Sequence, residues 1–180
     1  MKLENKSALT RGAEFGVVMG ILFLILFFST MYFMDNALLS MLPTILIIAI
    51  PVLLYVFLRK AYLADNCETT YPTLVVTGIS TFLCGGIILA TVALFYITFF
   101  DPDLILNWIT TTAETYRNID NPTAQNLYAQ LNEIVEKQLI PQPGEFVFQL
   151  IWLAITFGII LSTVASLLIS LFIRKKSKLI

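Results

Sequence analysis

Residues 72–100, PTLVVTGISTFLCGGIILATVALFYITFF, decide the fold of this chain because they contain no charged side chain. A helix that crosses a bilayer needs about 20 consecutive, mostly apolar residues, and this run is longer than that. Three more apolar stretches, at residues 13–33, 38–58 and 146–173, are also long enough to cross. None of them alternates apolar and polar residues as barrel strands do. The sequence therefore predicts four transmembrane helices.

The composition is typical of a membrane protein. Of the 180 residues, 58% are hydrophobic and 13% are charged, whereas soluble domains carry about 25% charged residues. The first apolar stretch is not followed by a small-residue cleavage site, so we expect it to be retained as a helix. The predicted fold class is all-α, a polytopic membrane protein in which residues 1–180 form one four-helix domain in the lipid bilayer.

The basic residues predict how the chain is threaded. Nine of the 11 Lys and Arg residues lie in the two tails and in the connection between the second and third spans. Cytoplasmic segments carry the excess of positive charge. Both termini are therefore predicted to be cytoplasmic, and a short turn at residues 34–36 is predicted to join the first two spans as a hairpin.

Residues 101–145 form the one sizeable polar loop, which the charge rule places on the extracytoplasmic side as two short amphipathic helices. Asp101 or Asp103 can cap the first of these helices, with Pro102 in its first turn. Contact with a cation or a partner is the alternative interpretation of these two acids. Asn121 before Pro122 predicts the start of the second helix.

Small residues recur every four positions in the first and last spans, which places each set on one helix face. The columns are Gly12, Gly16 and Gly20 in the first span and Ala154, Gly158, Ser162, Ser166 and Ser170 in the last. Small residues let membrane helices approach closely. We predict helix packing within the chain; for the last span, a second copy, a partner helix or a substrate path stays open. Pro51 predicts a bend in the second span, either a structural kink or a gating hinge.

Glu14 is the acid that stands out near membrane depth. Ionisable groups inside membrane helices are functional candidates, and a proton-coupled exporter could use one, as the small four-helix multidrug transporters use a glutamate in their first helix. Alternatively, Glu14 lies at the interface, where the helix dipole favours an acid in the first turn.

The other expectations are negative. The chain has no histidine, which removes the commonest metal ligand and general base. We predict no catalytic, metal-binding or cofactor-binding residues, no cofactor and no enzymatic activity. No basic groove with aromatic residues suggests nucleic acid as a partner.

The segment FYITFFDPDL (residues 95–104), the acidic two-helix loop and the closing Arg174-Lys175-Lys176 resemble a family found chiefly in Bacteroidetes, domain of unknown function 4199. The glycine-rich first span and the short hairpin also fit that family. The resemblance implies a bacterial inner (cytoplasmic) membrane protein and supplies no catalytic residues. The resemblance also implies an association with polyprenol-phosphate glycosyltransferases.

Two functions follow as expectations. The first is a non-enzymatic accessory or anchor subunit of an envelope or lipid-linked glycosylation system, with such a glycosyltransferase as a candidate partner. The second is a small proton-coupled transporter or lipid-carrier flippase, expected as a homo-oligomer and dependent on Glu14.

Overall fold

The computed structural model of the chain describes residues 7–32, 41–117 and 119–173. These residues contain α1 (Ala8–Tyr32), α2 (Met41–Ala64), α3 (Tyr71–Phe99), α4 (Leu104–Arg117), α5 (Pro122–Glu136) and α6 (Pro143–Phe172). Four of these helices, α1, α2, α3 and α6, are long and apolar enough to cross a membrane. The predicted all-α fold is confirmed, and the described residues contain four candidate membrane spans, as predicted.

The membrane helices extend beyond the apolar stretches that predicted them. α1 begins at Ala8, before the apolar stretch that starts at residue 13, and α2 continues to Ala64, beyond the stretch that ends at residue 58. Apolarity marks the part of a helix that lies in lipid, whereas Arg and Lys are good helix formers that continue the helix beyond it. The predicted limits at residues 33 and 38, the turn at residues 34–36 and most of the tail cations lie outside the described residues.

Local signals explain where two other helices begin. α6 starts at Pro143 instead of residue 146, because proline suits the first turn of a helix. The Gln142 backbone N–H donates to the Glu145 carboxylate at 3.2 Å, which satisfies one backbone donor at this end. The predicted cap of α5 is confirmed: Asn121 Oδ1 accepts a 2.8 Å hydrogen bond from the Thr123 backbone N–H.

α3 lies between α1 and α6 and packs more extensively on them than on any other helix. Gly16 faces Cys84 and Gly20 faces Ile88, so α1 and α3 run parallel. α6 runs antiparallel to α3, because Gly78 faces Ser162 near one end of the interface while Gly86 faces Ala154 further along. The start of α1 therefore lies at the same end of the bundle as the end of α6. We call this the near end, and the end at which α1 finishes the far end.

Glycine residues, which have no side chain, allow these close approaches between helices. A Cβ atom added to Gly16 would lie 2.5 Å from the Cβ of Cys84, and one added to Gly158 would lie 2.6 Å from the Cβ of Phe82. Both separations are shorter than carbon atoms tolerate without a shift of the backbone. The α1–α3 and α3–α6 interfaces thus exist at their observed spacing because glycine occupies these positions.

α2 is the peripheral helix of the bundle and packs on α1 and α6. The rings of Phe15 and Phe57 stack with their centroids 4.8 Å apart, which joins α2 to α1. After Pro51, α2 buries Leu54 and Leu58 completely, whereas before Pro51 only Ile50 is buried. α2 therefore packs on the bundle mainly through its half at the near end.

α4 and α5 pack on each other in the connection between α3 and α6, at the far end. Leu104, Ile105 and Ile109 of α4 are buried in the core. The polar connection is thereby fixed to the membrane helices by one apolar helix face.

Two glycines of the same helix provide a matched test of the α3–α6 interface. We expect Gly158→Ala to lower the free energy of unfolding by about 1–3 kcal/mol, because the added methyl group overlaps Phe82. Gly144→Ala should be neutral or stabilising, since no atom lies within 4 Å of its added Cβ and alanine favours the helix. Denaturation in detergent micelles measures both, and equal effects of the two substitutions would refute this account of the interface.

Candidate functional site

A charged pair joins α1 to the end of α2 at the near end. Arg11 and Asp65 form a bidentate ion pair, in which Nη1 donates to Oδ2 and Nη2 donates to Oδ1, the latter at 2.5 Å. Arg11 is 5% exposed although it carries a charge. A charge this buried requires a partner, and Asp65 supplies one from the turn that follows α2.

The surroundings of Asp65 favour its charged form. Hydrogen bonding from Arg11 lowers the pKa of Asp65 below its ordinary value, and a further hydrogen bond from Thr69 acts in the same direction against the cost of burial. The turn around Asp65 is tight: Asn66 and Cys67 both have positive φ angles, 53° and 62°. The Cys67 backbone N–H donates to the Tyr62 carbonyl at 3.0 Å. The turn thereby holds the carboxylate of Asp65 against α1.

Glu14 lies in α1, one helical turn beyond Arg11, and is partly buried. The prediction that Glu14 occupies the first turn is wrong, because α1 begins at Ala8. Glu14 lies near the Arg11–Asp65 pair along the helix, close to the near end of the bundle. Its neighbour Gly12, in contrast, faces α3 directly.

At the far end, three oxygen-bearing side chains form a hydrogen-bonded chain. Tyr32 Oη of α1 donates to Asp101 Oδ2 at 2.8 Å and lies 2.8 Å from Tyr96 Oη of α3. Because Tyr32 has one hydroxyl proton and gives it to the carboxylate, Tyr96 is the donor to Tyr32. Asp101 thus ties the end of α1 to the end of α3. Pro102 and Asp103 are exposed in the turn between α3 and α4.

A cavity of about 440 Å³ lies at the far end between α1, α2, α3 and α6. Its walls include Phe27 and Thr30 of α1, Ile50 of α2 and Leu150 of α6, and Trp108 of α4 lines it as well. The Nε1 atom of Trp108 is buried and has no hydrogen-bond partner among the described residues. Among the lining side chains, only Thr30 and Trp108 bear an oxygen or nitrogen atom, and an apolar cavity of this kind is suited to an apolar ligand.

The small-residue columns lie mainly in the two interfaces with α3. Gly12, Gly16, Gly20, Ala154, Gly158 and Ser162 all meet α3. Ser166 is buried, while Ser170 is exposed and its hydroxyl donates to the Leu167 carbonyl at 2.9 Å. The hydroxyls of Ser162 and Ser166 have no hydrogen-bond partner among the described residues, so these serines serve close packing.

Sequence reasoning missed the two polar clusters. From the sequence, Arg11 is one of the basic residues that indicate topology, and no pattern assigns a role to Asp65. A signal was present, because Arg11 and Asp65 lie just outside the apolar stretches of two successive, antiparallel spans. Within residues 7–32, 41–117 and 119–173, no three His, Cys, Asp or Glu side chains are grouped closely enough to hold a metal ion.

In a comparison with protein families, residues 14–175 match the family described as "Protein of unknown function (DUF4199)". The chain belongs to this family. The family resemblance seen in the sequence is confirmed, and the matched segment runs from Glu14 to beyond the end of α6. Comparisons with curated proteins and with solved structures gave no match.

The Arg11–Asp65 pair predicts a specific dependence of stability on pH. Because the folded state lowers the pKa of Asp65, the pair contributes stability above about pH 4, the ordinary pKa of aspartate. This contribution is lost as the pH falls through the lowered pKa. We expect Asp65→Asn to reduce the free energy of unfolding by about 2–3 kcal/mol at pH 7, since it leaves the buried Arg11 without its counter-ion.

Denaturation in micelles at pH 7 and pH 3 tests this prediction. The difference between the unmodified protein and Asp65→Asn should shrink at the lower pH. Glu68→Gln, at an exposed acid in the same turn, is the control and should change stability by less than about 0.5 kcal/mol. A difference for Asp65→Asn that stays constant with pH would contradict the assignment.

Proposed function

We propose that this protein is a non-enzymatic accessory or anchor subunit in a bacterial inner membrane, with both termini in the cytoplasm. The observation that carries the proposal is the closed packing of α1, α3 and α6. Glycine brings the backbones so close that an added Cβ at Gly16 or Gly158 would overlap the facing helix. A bundle with such a core is suited to holding a fixed shape for another protein.

The surface for a partner lies away from the small-residue columns, because those columns meet α3. α2 is the least buried of the four membrane helices. Ile45, Ile48, Val52 and Val56 are exposed along it, at 48–63%. We assign the partner to this face of α2. The candidate partner is a polyprenol-phosphate glycosyltransferase of the same membrane, as the family resemblance implies.

Photo-crosslinking from α2 in living cells tests this assignment. A photoreactive amino acid at Val52, 58% exposed, should capture a membrane protein in stoichiometric amount, which mass spectrometry identifies. The same amino acid at Leu54, which is completely buried in the same helix, is the control and should capture none. Capture of lipid alone, or of further copies of this chain alone, from Val52 would contradict the accessory function.

The orientation is tested by reporters fused after the last residue. A fluorescent protein that matures only in the cytoplasm should fluoresce, and an alkaline phosphatase at the same position should be inactive. The positive-inside rule gives this expectation, since nine of the 11 basic residues lie on one side. An active phosphatase would show that the C-terminus lies outside the cytoplasm, which would contradict the proposed orientation.

A proton-coupled transporter or lipid-carrier flippase is the second candidate, and the position of Glu14 favours it. Glu14 is partly buried within α1, in the part of the chain that the family match covers. Under that function, Glu14→Gln should abolish proton-coupled flux in proteoliposomes, while Glu68→Gln should not. Under the accessory function, Glu14→Gln should leave the partner captured from Val52 unchanged.

A further inference from the structure

We propose that the far-end cavity binds one hydrocarbon chain of a membrane lipid, which enters sideways between α2 and α6. The cavity volume of about 440 Å³ falls within the range of about 300–1,000 Å³ seen for small-molecule sites. This binding site is separate from the partner surface on α2, so it stands or falls independently of the accessory function.

The lining selects an apolar occupant. Aromatic and aliphatic side chains form the walls, and Thr30 contributes the one side-chain hydroxyl of the lining. That hydroxyl donates to the Leu26 carbonyl at 2.8 Å, so its proton is already used. Water in this cavity would find few hydrogen-bond partners, whereas an ordered buried water needs about 2–4 polar partners.

The cavity opens toward the bilayer. Ile47 of α2 and Leu153 and Phe157 of α6 line it, yet they are 58%, 53% and 53% exposed. These two helices are candidate membrane spans, so the medium at the opening is lipid hydrocarbon. A lipid chain can therefore reach the cavity without passing through water or through the α1–α3–α6 core.

Pro51 explains why the opening is located there. Proline has no N–H to donate to the carbonyl four residues earlier, which is that of Ile47, and its ring crowds that carbonyl, so the helix is weakened at this point. α2 packs on the bundle after Pro51, where Leu54 and Leu58 are fully buried, and buries little before it. The gap between α2 and α6 thus occupies the half of α2 that the proline separates from the packed half.

Trp108 orients the lipid. It lines the cavity from α4, in the connection at the far end, and its buried Nε1 has no hydrogen-bond partner among the described residues. Tryptophan at a membrane interface combines an apolar ring with a donor. The ester carbonyl oxygen of a lipid is an acceptor located where the chain begins. We therefore place the ester end at Trp108 and the chain beside Phe82 of α3.

Quenching of Trp108 fluorescence tests the proposal on the purified full chain in detergent micelles. The chain has two tryptophans, so Trp152→Phe leaves Trp108 as the reporter; Trp152 is 65% exposed and is not part of the lining. Phosphatidylcholine with bromine atoms on one acyl chain is added as the quenching probe. We expect a saturable loss of fluorescence, larger when bromine lies near the ester end than near the methyl end.

A matched pair of substitutions locates the binding. Thr30→Phe places a ring in the cavity and should weaken the apparent affinity at least about tenfold. Thr163→Phe makes the same change at an exposed position of α6 outside the cavity and should leave the affinity unchanged.

Saturation and the dependence on bromine position are measured without either substitution, so they decide the proposal even if Thr30→Phe does not fold. Quenching that never saturates, as expected from micellar lipid alone, would overturn it. Equal affinities for Thr30→Phe and Thr163→Phe, or stronger quenching from the methyl end, would also overturn it.

Discussion

Helices in a bilayer gain little from leaving lipid for one another, because lipid chains are as apolar as leucine. Their association depends on how closely their backbones can approach. In this chain that constraint acts on α3, which contacts α1 on one side and α6 on another through positions that lack a side chain. The remaining features of the bundle, namely the peripheral α2, the two polar clusters at its ends and the far-end cavity, are arranged around these two interfaces.

The polar clusters fix the ends of helices whose middles are held by packing. At the near end, Arg11 of α1 pairs with Asp65, which follows α2. The carboxylate of Asp65 thereby compensates the charge of Arg11, a residue that is only 5% exposed. At the far end, Tyr32 connects α1 to Tyr96 of α3 and to Asp101. The two clusters therefore set the register of α1 against both of its neighbours. The cavity lies beside the half of α2 that precedes Pro51, where α2 buries few side chains against the bundle.

The sequence predicted where the helices lie better than it predicted which helices pack on each other. Apolar length predicted the four candidate spans of the described residues, because the cost of unsatisfied backbone groups in lipid favours helices for such segments. Asn121 before Pro122 also predicted the start of α5, since a cap is a local interaction. The pairing of Gly16 with Cys84 and of Gly158 with Phe82 is not local. The four-residue spacing shows that a helix face is small, but it does not show which helix meets that face.

The same limit applies to the polar groups. Arg11 and Asp65 are 54 positions apart in the sequence. They are close in space because α1 and α2 run antiparallel. The cavity was likewise invisible in the sequence, because it arises from a gap between helices. Pro51 marked the point beyond which α2 packs on the bundle, yet it could not show that α6 lies across the gap.

Disulfide formation between α3 and α6 in native membranes tests the central claim most directly, namely that the small-residue column of α6 packs on α3 of the same chain. A Cβ added to Gly86 lies 3.3 Å from the Cβ of Ala154, close to the separation of about 3.5–4.5 Å in disulfides. In a background without the two native cysteines, Gly86→Cys with Ala154→Cys should lose its free thiols on mild oxidation and remain a monomer on a denaturing gel. Ile87→Cys with Ala154→Cys is the control and should keep its thiols, since Ile87 is 50% exposed. A disulfide-linked dimer from the first pair would show that the column packs on a second copy, which would contradict the account.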